Sequence, residues 1–203
     1  MARALNLVLV LMTGAVLLLT PGDAAAQSVP GLGSDGEVGA VVSLRPTGSQ
    51  VVDQFMPMLG LGMALRLSPS LEVGGEGFLG LRRVNVSPRG AAEQSELALG
   101  YGGLILRYGP ERESGLDGWR AGLLVGAGTA RVRSRLANAE LDVDNFFVLE
   151  PSLEYRRGLR SNLGVVAGAG YRTTLGADPL PGVDSEDIRG PTLHLGLNFV
   201  RDP

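Results

Sequence analysis

Few residues in this chain have the type and spacing that catalysis or ligand binding requires. His194 is the single histidine, the chain has no Cys and no Lys, and all 18 basic residues are therefore Arg. This composition excludes a Cys/His zinc cluster, a Cys–His nucleophilic pair and a phosphate-binding P-loop lysine. We therefore expect no metal site and no cofactor.

Two pairs of glutamates and two glycine-rich fragments are the other candidates. Glu72 and Glu76, like Glu150 and Glu154, are four residues apart, which on a strand corresponds to about 13 Å. That separation is too large for the carboxylate pair of a glycosidase. The glycine-rich residues 100–103 and 168–170 do not open a helix after a strand, as a nucleotide loop would. The sequence predicts no catalytic residues and no enzyme.

The segments that carry these residues alternate apolar with small or polar side chains, which is the period of a β-strand. In residues 58–67, Leu59, Leu61 and Leu65 share one face, opposite Gly60, Gly62 and Arg66. A helix is disfavoured because glycine at this density would cost about 1 kcal/mol per residue. The eight segments are 38–44, 58–67, 71–82, 97–108, 119–128, 147–156, 163–172 and 193–199. In the fourth, we expect Leu104 and Leu106 on the polar, inward face.

The connections between these segments fall into two classes. Residues 68–70 and 158–161 form short turns, and residues 110–118 form a longer one. Residues 46–54, 85–94, 133–145 and 176–190 read as long polar loops. Short turns at one end and long loops at the other are typical of outer-membrane barrels. We predict an all-β fold, an antiparallel up-and-down transmembrane β-barrel of about eight strands over residues 37–203.

The first 26 residues read as a secretory signal peptide. Arg3 is followed by the apolar residues 5–19, by the Pro21-Gly22 break, and by a small-residue cleavage motif that ends at Ala26. An apolar run of about 15 residues is shorter than the ~20 needed for a membrane-spanning helix. We expect cleavage after Ala26 and a short leader at 27–36.

The polar faces of the segments carry equal numbers of acidic and basic side chains, interleaved with glycine. An eight-stranded barrel has an interior that side chains just fill, so inward charges must pair. We expect them to form a network in the lumen, although a solvated outer face of a soluble barrel stays an alternative. The predicted network comprises Glu37, Glu72, Glu76, Glu96, Glu150, Glu154, Arg45, Arg66, Arg82, Arg120, Arg156 and Arg172.

Further arginines lie where strands would emerge on the outer side: Arg83, Arg89, Arg131, Arg133 and Arg135. Arginine binds phosphate bidentately and keeps its charge, so these residues are candidate contacts to phosphorylated outer-membrane lipid. Solvated loop charges are the alternative. The net charge of −3, without a long basic run, predicts no nucleic-acid partner.

Residues 37–199 resemble the small outer-membrane β-barrel superfamily, typified by the membrane domain of outer membrane protein A and by outer membrane protein X. The resemblance rests on the signal peptide, the alternating segments and the closing Leu193-x-Leu195-x-Leu197-x-Phe199 pattern. It implies an outer-membrane location, outer-membrane lipid as a partner, and the barrel-assembly machinery as a partner during insertion. Members usually end on the aromatic residue, whereas here four residues follow Phe199.

The resemblance implies no single activity, so three functions stay open. The first is a structural or surface-interaction barrel with an extracellular partner that the sequence does not indicate. The second is a narrow channel or small-ligand carrier. The third is a lipid-modifying enzyme, a class of similar barrels that uses a His–Ser pair; here Gly196 stands two residues after His194.

Overall fold

The computed structural model describes residues 39–86, 95–110, 117–136, 139–177, 180 and 182–201. These residues form nine antiparallel strands: β1 (Gly39–Val51), β2 (Gln54–Ser68), β3 (Leu71–Gly80), β4 (Val84–Val86), β5 (Ser95–Tyr108), β6 (Gly118–Ser134), β7 (Glu140–Arg160), β8 (Leu163–Leu175) and β9 (Gly190–Arg201). Within the described part of the chain, no helix is long and apolar enough to cross a membrane.

The strands close into a ring. β1 pairs with both β2 and β9, and β3 pairs with β5 to complete the circle. The short β4 follows β3 along the same neighbour, β5, so the ring has eight members. Closure leaves these eight strands without the unpaired edge that an open sheet has. The predicted all-β, eight-stranded antiparallel barrel is confirmed.

Burial alternates along every strand of the ring, and its polarity is the reverse of that in a soluble protein. Arg45 on β1 is 1% exposed, whereas Leu104 on β5 is 71% exposed. Large apolar side chains cover the outside, and charged side chains fill much of the inside. This is the arrangement of a barrel whose surroundings are hydrocarbon.

The interior has two layers. We call the end of the ring that carries Gly39 and Arg201 the terminal rim, and the opposite end the distal rim. Charged side chains occupy the half near the terminal rim, and an apolar cluster that includes Met56, Phe78 and Val132 occupies the half near the distal rim. The lumen is therefore packed along its length, in the manner of other small barrels.

The connection between β8 and β9 covers the distal opening. Its Leu180, Val183 and Ile188 are buried in the apolar cluster. Val52 N of the β1–β2 turn donates to Asp187 O of the connection at 2.9 Å, and Leu180 N donates to Val183 O at 3.0 Å within the connection. The predicted connection at 176–190 is thus present and is folded over the lumen.

The predicted loop at 46–54 is wrong. β1 continues to Val51, and only Val52 and Asp53 connect it to β2, with φ of 49° and 54°. This is a two-residue hairpin whose left-handed conformation matches strand twist. The ladder between β1 and β9 omits Arg45 and Pro46, since proline has no N–H to donate, and otherwise continues to Ser49.

The predicted loop at 133–145 is also wrong, because β6 runs to Ser134 and β7 begins at Glu140. Strand pairing uses backbone groups, so polar residues beyond the apolar surface continue the ladder. Of the predicted loop at 85–94, Asn85 and Val86 belong to β4, and the remainder lies outside the described residues. The signal peptide at 1–26 and the leader at 27–36 also lie outside them and stay predictions.

Substitution of Gly126 by alanine should destabilise the barrel. Gly126 on β6 pairs with Gly103 on β5, and a Cβ on Gly126 would lie 2.5 Å from Gly103 Cα and against Gly102 O. We expect a loss of about 1–3 kcal/mol from this overpacking, measured as the urea unfolding midpoint in detergent. Gly77→Ala is the matched control, since its Cβ would meet nothing closer than Tyr101 O at 3.7 Å. Equal midpoints for the two variants would contradict the close approach of β5 and β6.

Candidate functional site

The charged layer is centred on Glu154, which β7 directs into the lumen. Its Oε1 accepts hydrogen bonds from Arg45 Nη1 at 2.5 Å and from Arg107 Nε at 3.2 Å. Its Oε2 accepts from Arg45 Nη2 at 3.1 Å and from Arg156 Nη2 at 3.4 Å. One carboxylate therefore joins β1, β5 and β7 across the interior.

Two further carboxylates on β3 extend this network. Glu76 Oε1 lies 2.8 Å from Arg45 Nε, and Arg107 Nη2 also donates to Glu76. Glu72 Oε1 accepts from Arg156 Nη1 at 2.8 Å. A buried charge is tolerated when it is paired and hydrogen-bonded. These side chains are almost wholly buried, and each has at least one partner of opposite charge.

Arg107 was not predicted as an interior residue, and the expected orientation of β5 is wrong. Leu104 and Leu106 point outward, whereas Arg107 is buried. The inward face of β5 is apolar near the distal rim, so alternation in this segment did not distinguish the two faces. A different signal was available. Three interior arginines near the terminal rim adjoin an aromatic residue in the sequence, in the pairs Trp119-Arg120, Tyr155-Arg156 and Arg107-Tyr108.

The other residues expected in the network are distributed over three kinds of position. Arg66 is partly buried, with Nη2 3.7 Å from Glu72 Oε1. Arg120 is buried near the terminal rim, where Nη2 donates to Pro69 O at 3.1 Å. Glu37 lies outside the described residues.

The predicted place of Arg82 and Glu96 in the interior network is wrong, because neither side chain joins it. Arg82 is exposed in the bend between β3 and β4, which interrupts the strand alternation. Glu96 faces outward near the distal rim, where it lies 3.1 Å from Arg83 Nη1 and 3.1 Å from Arg135 Nε.

Glu150 and Arg172 belong to the apolar layer. Glu150 accepts hydrogen bonds from Tyr101 Oη and from Thr192 Oγ1, both at 2.7 Å. The Arg172 guanidinium lies 5.2 Å from the centre of the Tyr101 ring, and its Nε donates to Ile188 O at 2.8 Å. Arg172 thus fastens the β8–β9 connection to the barrel wall.

His194 contacts charged groups of the network. Its Nε2 is 3.3 Å from Arg45 Nη1 and 3.7 Å from Glu154 Oε1. Since a guanidinium can only donate, Nε2 accepts in the first contact. A cavity with room for about one water molecule adjoins His194, Glu150 and Ser152. Among the described residues, no cluster of His, Asp or Glu is arranged to hold a metal ion.

Arginines also gather outside the barrel at the distal rim. Arg131 and Arg133 project from the outer face of β6, opposite Ala98 and Glu96 of β5. Arg131 Nη1 lies 3.9 Å from Glu140 Oε2. Arg83 and Arg135 share Glu96, as described above, and Arg89 lies outside the described residues. The structure therefore brings four of the five expected rim arginines to one sector of the barrel.

Replacing Glu154 by alanine should destabilise the protein more than an equivalent change on the outer surface. Glu154→Ala would leave Arg45, Arg107 and Arg156 without their shared partner, at a cost of about 3–5 kcal/mol. The control is Leu61→Ala, which removes a side chain that is 43% exposed and can be replaced by lipid or detergent. Urea midpoints of the two variants provide the measurement. Similar midpoints would mean that the interior charges are hydrated and that their pairing contributes little.

Comparison with known proteins identifies the fold. No family model matches the chain, and no curated protein sequence matches it. Among solved structures, Ail of Yersinia pestis, in complex with the heparin analogue sucrose octasulfate, has a TM-score of 0.53 at 12% identity, covering 82% of this chain and 99% of Ail. Neisserial surface protein A has a TM-score of 0.51 at 9% identity, covering 80% and 96%. The chain therefore has the fold of the small outer-membrane β-barrels, as its sequence resemblance to outer membrane proteins A and X predicted.

Proposed function

We propose that this chain is a non-enzymatic integral protein of the bacterial outer membrane, with a closed lumen and a role at the cell surface. The observation that carries this proposal is the reversed polarity of the barrel, with arginine and glutamate inside and leucine outside. Exposure of an apolar outer surface of this extent to water would be unfavourable. The small outer-membrane barrels that share the fold support the location.

The proposed orientation has the terminal rim in the periplasm and the distal rim outside the cell. Two of the three connections at the terminal rim, 69–70 and 161–162, are two-residue turns, and the third spans 109–117. At the distal rim, only the Val52-Asp53 turn is that short. Long loops face outward in bacterial barrels.

Leu193, Leu195 and Phe199 on β9 face lipid, which supports this strand as the contact for the barrel-assembly machinery during insertion. Recovery of the protein in the soluble periplasm would contradict the location.

A closed lumen is favoured over a channel because two different barriers stand in series. The ion pairs of Glu154 and Glu76 cross the terminal half, where an ion would have to displace paired charges. The distal half is filled by apolar side chains and covered by Leu180, Val183 and Ile188. An ion that passed the first barrier would then meet a mainly apolar layer, whose Glu150 and Arg172 are already engaged with Tyr101, Thr192 and Ile188.

A lipid-modifying activity has weaker support. Such an enzyme would need a nucleophile within about 3 Å of His194. The described partners of His194 are the guanidinium of Arg45 and the carboxylate of Glu154, which fix the ring within the charge network. We therefore assign His194 a structural role.

The surface role that we propose for the distal rim is binding of phosphorylated lipid in the outer leaflet. Arg131 and Arg133 extend from the outer face of β6 beyond the apolar surface, where headgroups would lie. Within the described residues Arg133 has no ion pair, so its guanidinium is available for phosphate. The complex of Ail with a sulfated heparin analogue supports anion binding by a barrel of this fold.

The purified protein should give no steady current in a planar lipid bilayer. Both interior layers must be displaced before an aqueous path exists, and an eight-stranded ring leaves room only for side chains. Single-channel recording is the measurement, and an open porin inserted in the same bilayer is the positive control. Steady conductance through the wild type would support the channel alternative.

Removal of three distal arginines should weaken retention of phosphorylated outer-leaflet lipid. We expect the variant Arg131→Gln, Arg133→Gln, Arg135→Gln to copurify with less of this lipid than the wild type, because bidentate phosphate contacts are lost. Mass spectrometry of the purified protein, which counts the phosphorylated outer-leaflet lipid separately from glycerophospholipid, provides the measurement. The matched control removes three arginines from the opposite rim, through Arg157→Gln, Arg160→Gln and Arg201→Gln. Equal retention by the wild type and the distal variant would contradict the proposed surface role.

A further inference from the structure

The terminal rim carries a second group of exposed arginines, which the interior network does not use. Arg157 and Arg160 lie at the end of β7, where they pair with Val165 and Leu163 of β8. These β8 residues belong to the outward-facing set of their strand, and both arginines are exposed. Arg157 and Arg160 therefore project from the outer surface, whereas the adjacent Arg156 is buried inside.

Arg201 of β9 lies beside them. Val200 N donates to Asn162 O at 2.9 Å, which brings Arg201 next to Ser161, the residue that follows Arg160. Because Val200 is buried, Arg201 faces outward, as Phe199 does. β8 lies between β7 and β9, so two strand spacings of about 4.8 Å separate the strands that carry these arginines. Arg160 and Arg201 meet across the β7–β8 turn, and Arg157 lies farther along β7, level with Leu197.

The charges of these three arginines are not neutralised by other described residues. Arg157, Arg160 and Arg201 make no ion pair within the part of the chain that the structure describes. Asp117, which lies nearby, directs Oδ1 to Gly158 N at 2.6 Å. The contrast with Arg156, whose two carboxylate partners lie in the lumen, separates this group from the interior network.

The height of the three arginines on the barrel indicates what they meet. Outward aromatic residues lie at the same end, with the Trp119 and Tyr155 rings in a T-shaped contact at 5.2 Å and Phe199 one outward position before Arg201. Such aromatic residues mark the boundary between hydrocarbon and headgroups in membrane barrels. Arg157 follows Tyr155 and Arg201 follows Phe199 by one outward position, so each lies on the rim side of the aromatic residue of its own strand.

We propose that Arg157, Arg160 and Arg201 form a binding surface for the phosphate headgroup of anionic phospholipid in the periplasmic leaflet. Guanidinium groups bind phosphate bidentately, and three of them exceed the charge of one phosphodiester, which favours lipids of net negative charge over zwitterionic ones. The assignment to the periplasmic leaflet rests on the orientation proposed above. The phosphate binding by these arginines does not depend on that orientation.

The test uses the full-length mature protein in micelles that contain equal amounts of phosphatidylglycerol and phosphatidylethanolamine. Native mass spectrometry counts the molecules of each lipid that stay bound. We expect the wild type to retain more phosphatidylglycerol, and Arg157→Gln, Arg160→Gln, Arg201→Gln to lose this preference by up to about fivefold per arginine. The variant Arg131→Gln, Arg133→Gln, Arg135→Gln removes the same charge from the distal rim. The control Arg82→Gln removes an exposed arginine that belongs to neither rim group, and it should keep the preference.

Several outcomes would overturn the proposal. An unchanged lipid ratio in the terminal-rim variant would do so, and equal loss in both triple variants would indicate a general effect of surface charge. Displacement of the bound lipid by inorganic phosphate at equimolar concentration would mean that the surface recognises free phosphate and not a lipid. If the triple variant fails to fold, as judged by its migration on gels with and without boiling, Arg160→Gln and Arg201→Gln are measured singly, and each should show a partial loss.

The same pair of triple variants separates this proposal from the surface role of the distal rim. Loss of phosphatidylglycerol preference in the terminal variant, with normal lipid retention by the distal variant, would support the present proposal and contradict the distal role. The opposite pattern would contradict the present proposal alone.

Discussion

The ion pairs of Glu154 are the interaction on which the rest of this structure depends. Closing eight strands into a small ring forces the inward side chains to meet, and the carboxylate of Glu154 satisfies Arg45 from β1 and Arg107 from β5 at once. Without such pairing, the inward arginines would be isolated charges in a low-dielectric interior, at a cost that few folds can offset. The network therefore permits the charged face to be inside and the apolar face to be outside.

A second constraint is the change of character along the lumen. The ion-paired side chains lie in the terminal half, and toward the distal rim the interior is mainly apolar, with the β8–β9 connection as its cover. Arg172 links these parts, since it stacks on Tyr101 and binds the carbonyl of Ile188. The apolar layer excludes water from one end of the network, which strengthens its ion pairs because the local dielectric constant is lowered.

The arginines at the two rims differ in how far their charge is compensated. At the distal rim, Arg83 and Arg135 share the carboxylate of Glu96, so part of the positive charge is already compensated. At the terminal rim, Arg157 and Arg201 have no such partner among the described residues. Because the chain has no lysine, the basic side chains at both rims are all arginines, which keep their charge and their planar geometry at any physiological pH.

The sequence by itself determined the strand period, the approximate number of strands and the apolar face of most of them, because residues such as Leu61 and Leu193 alternate with small or polar neighbours. It could not orient β5, since Leu97 and Leu104 are both apolar and only the ring decides that one packs inside while the other meets lipid. Nor could it show that Pro46 lies within a strand, because backbone pairing across the ring overrides the local preference of proline and glycine for loops. The partners of Glu154 come from strands as far as 109 residues away, and only tertiary closure brings them together.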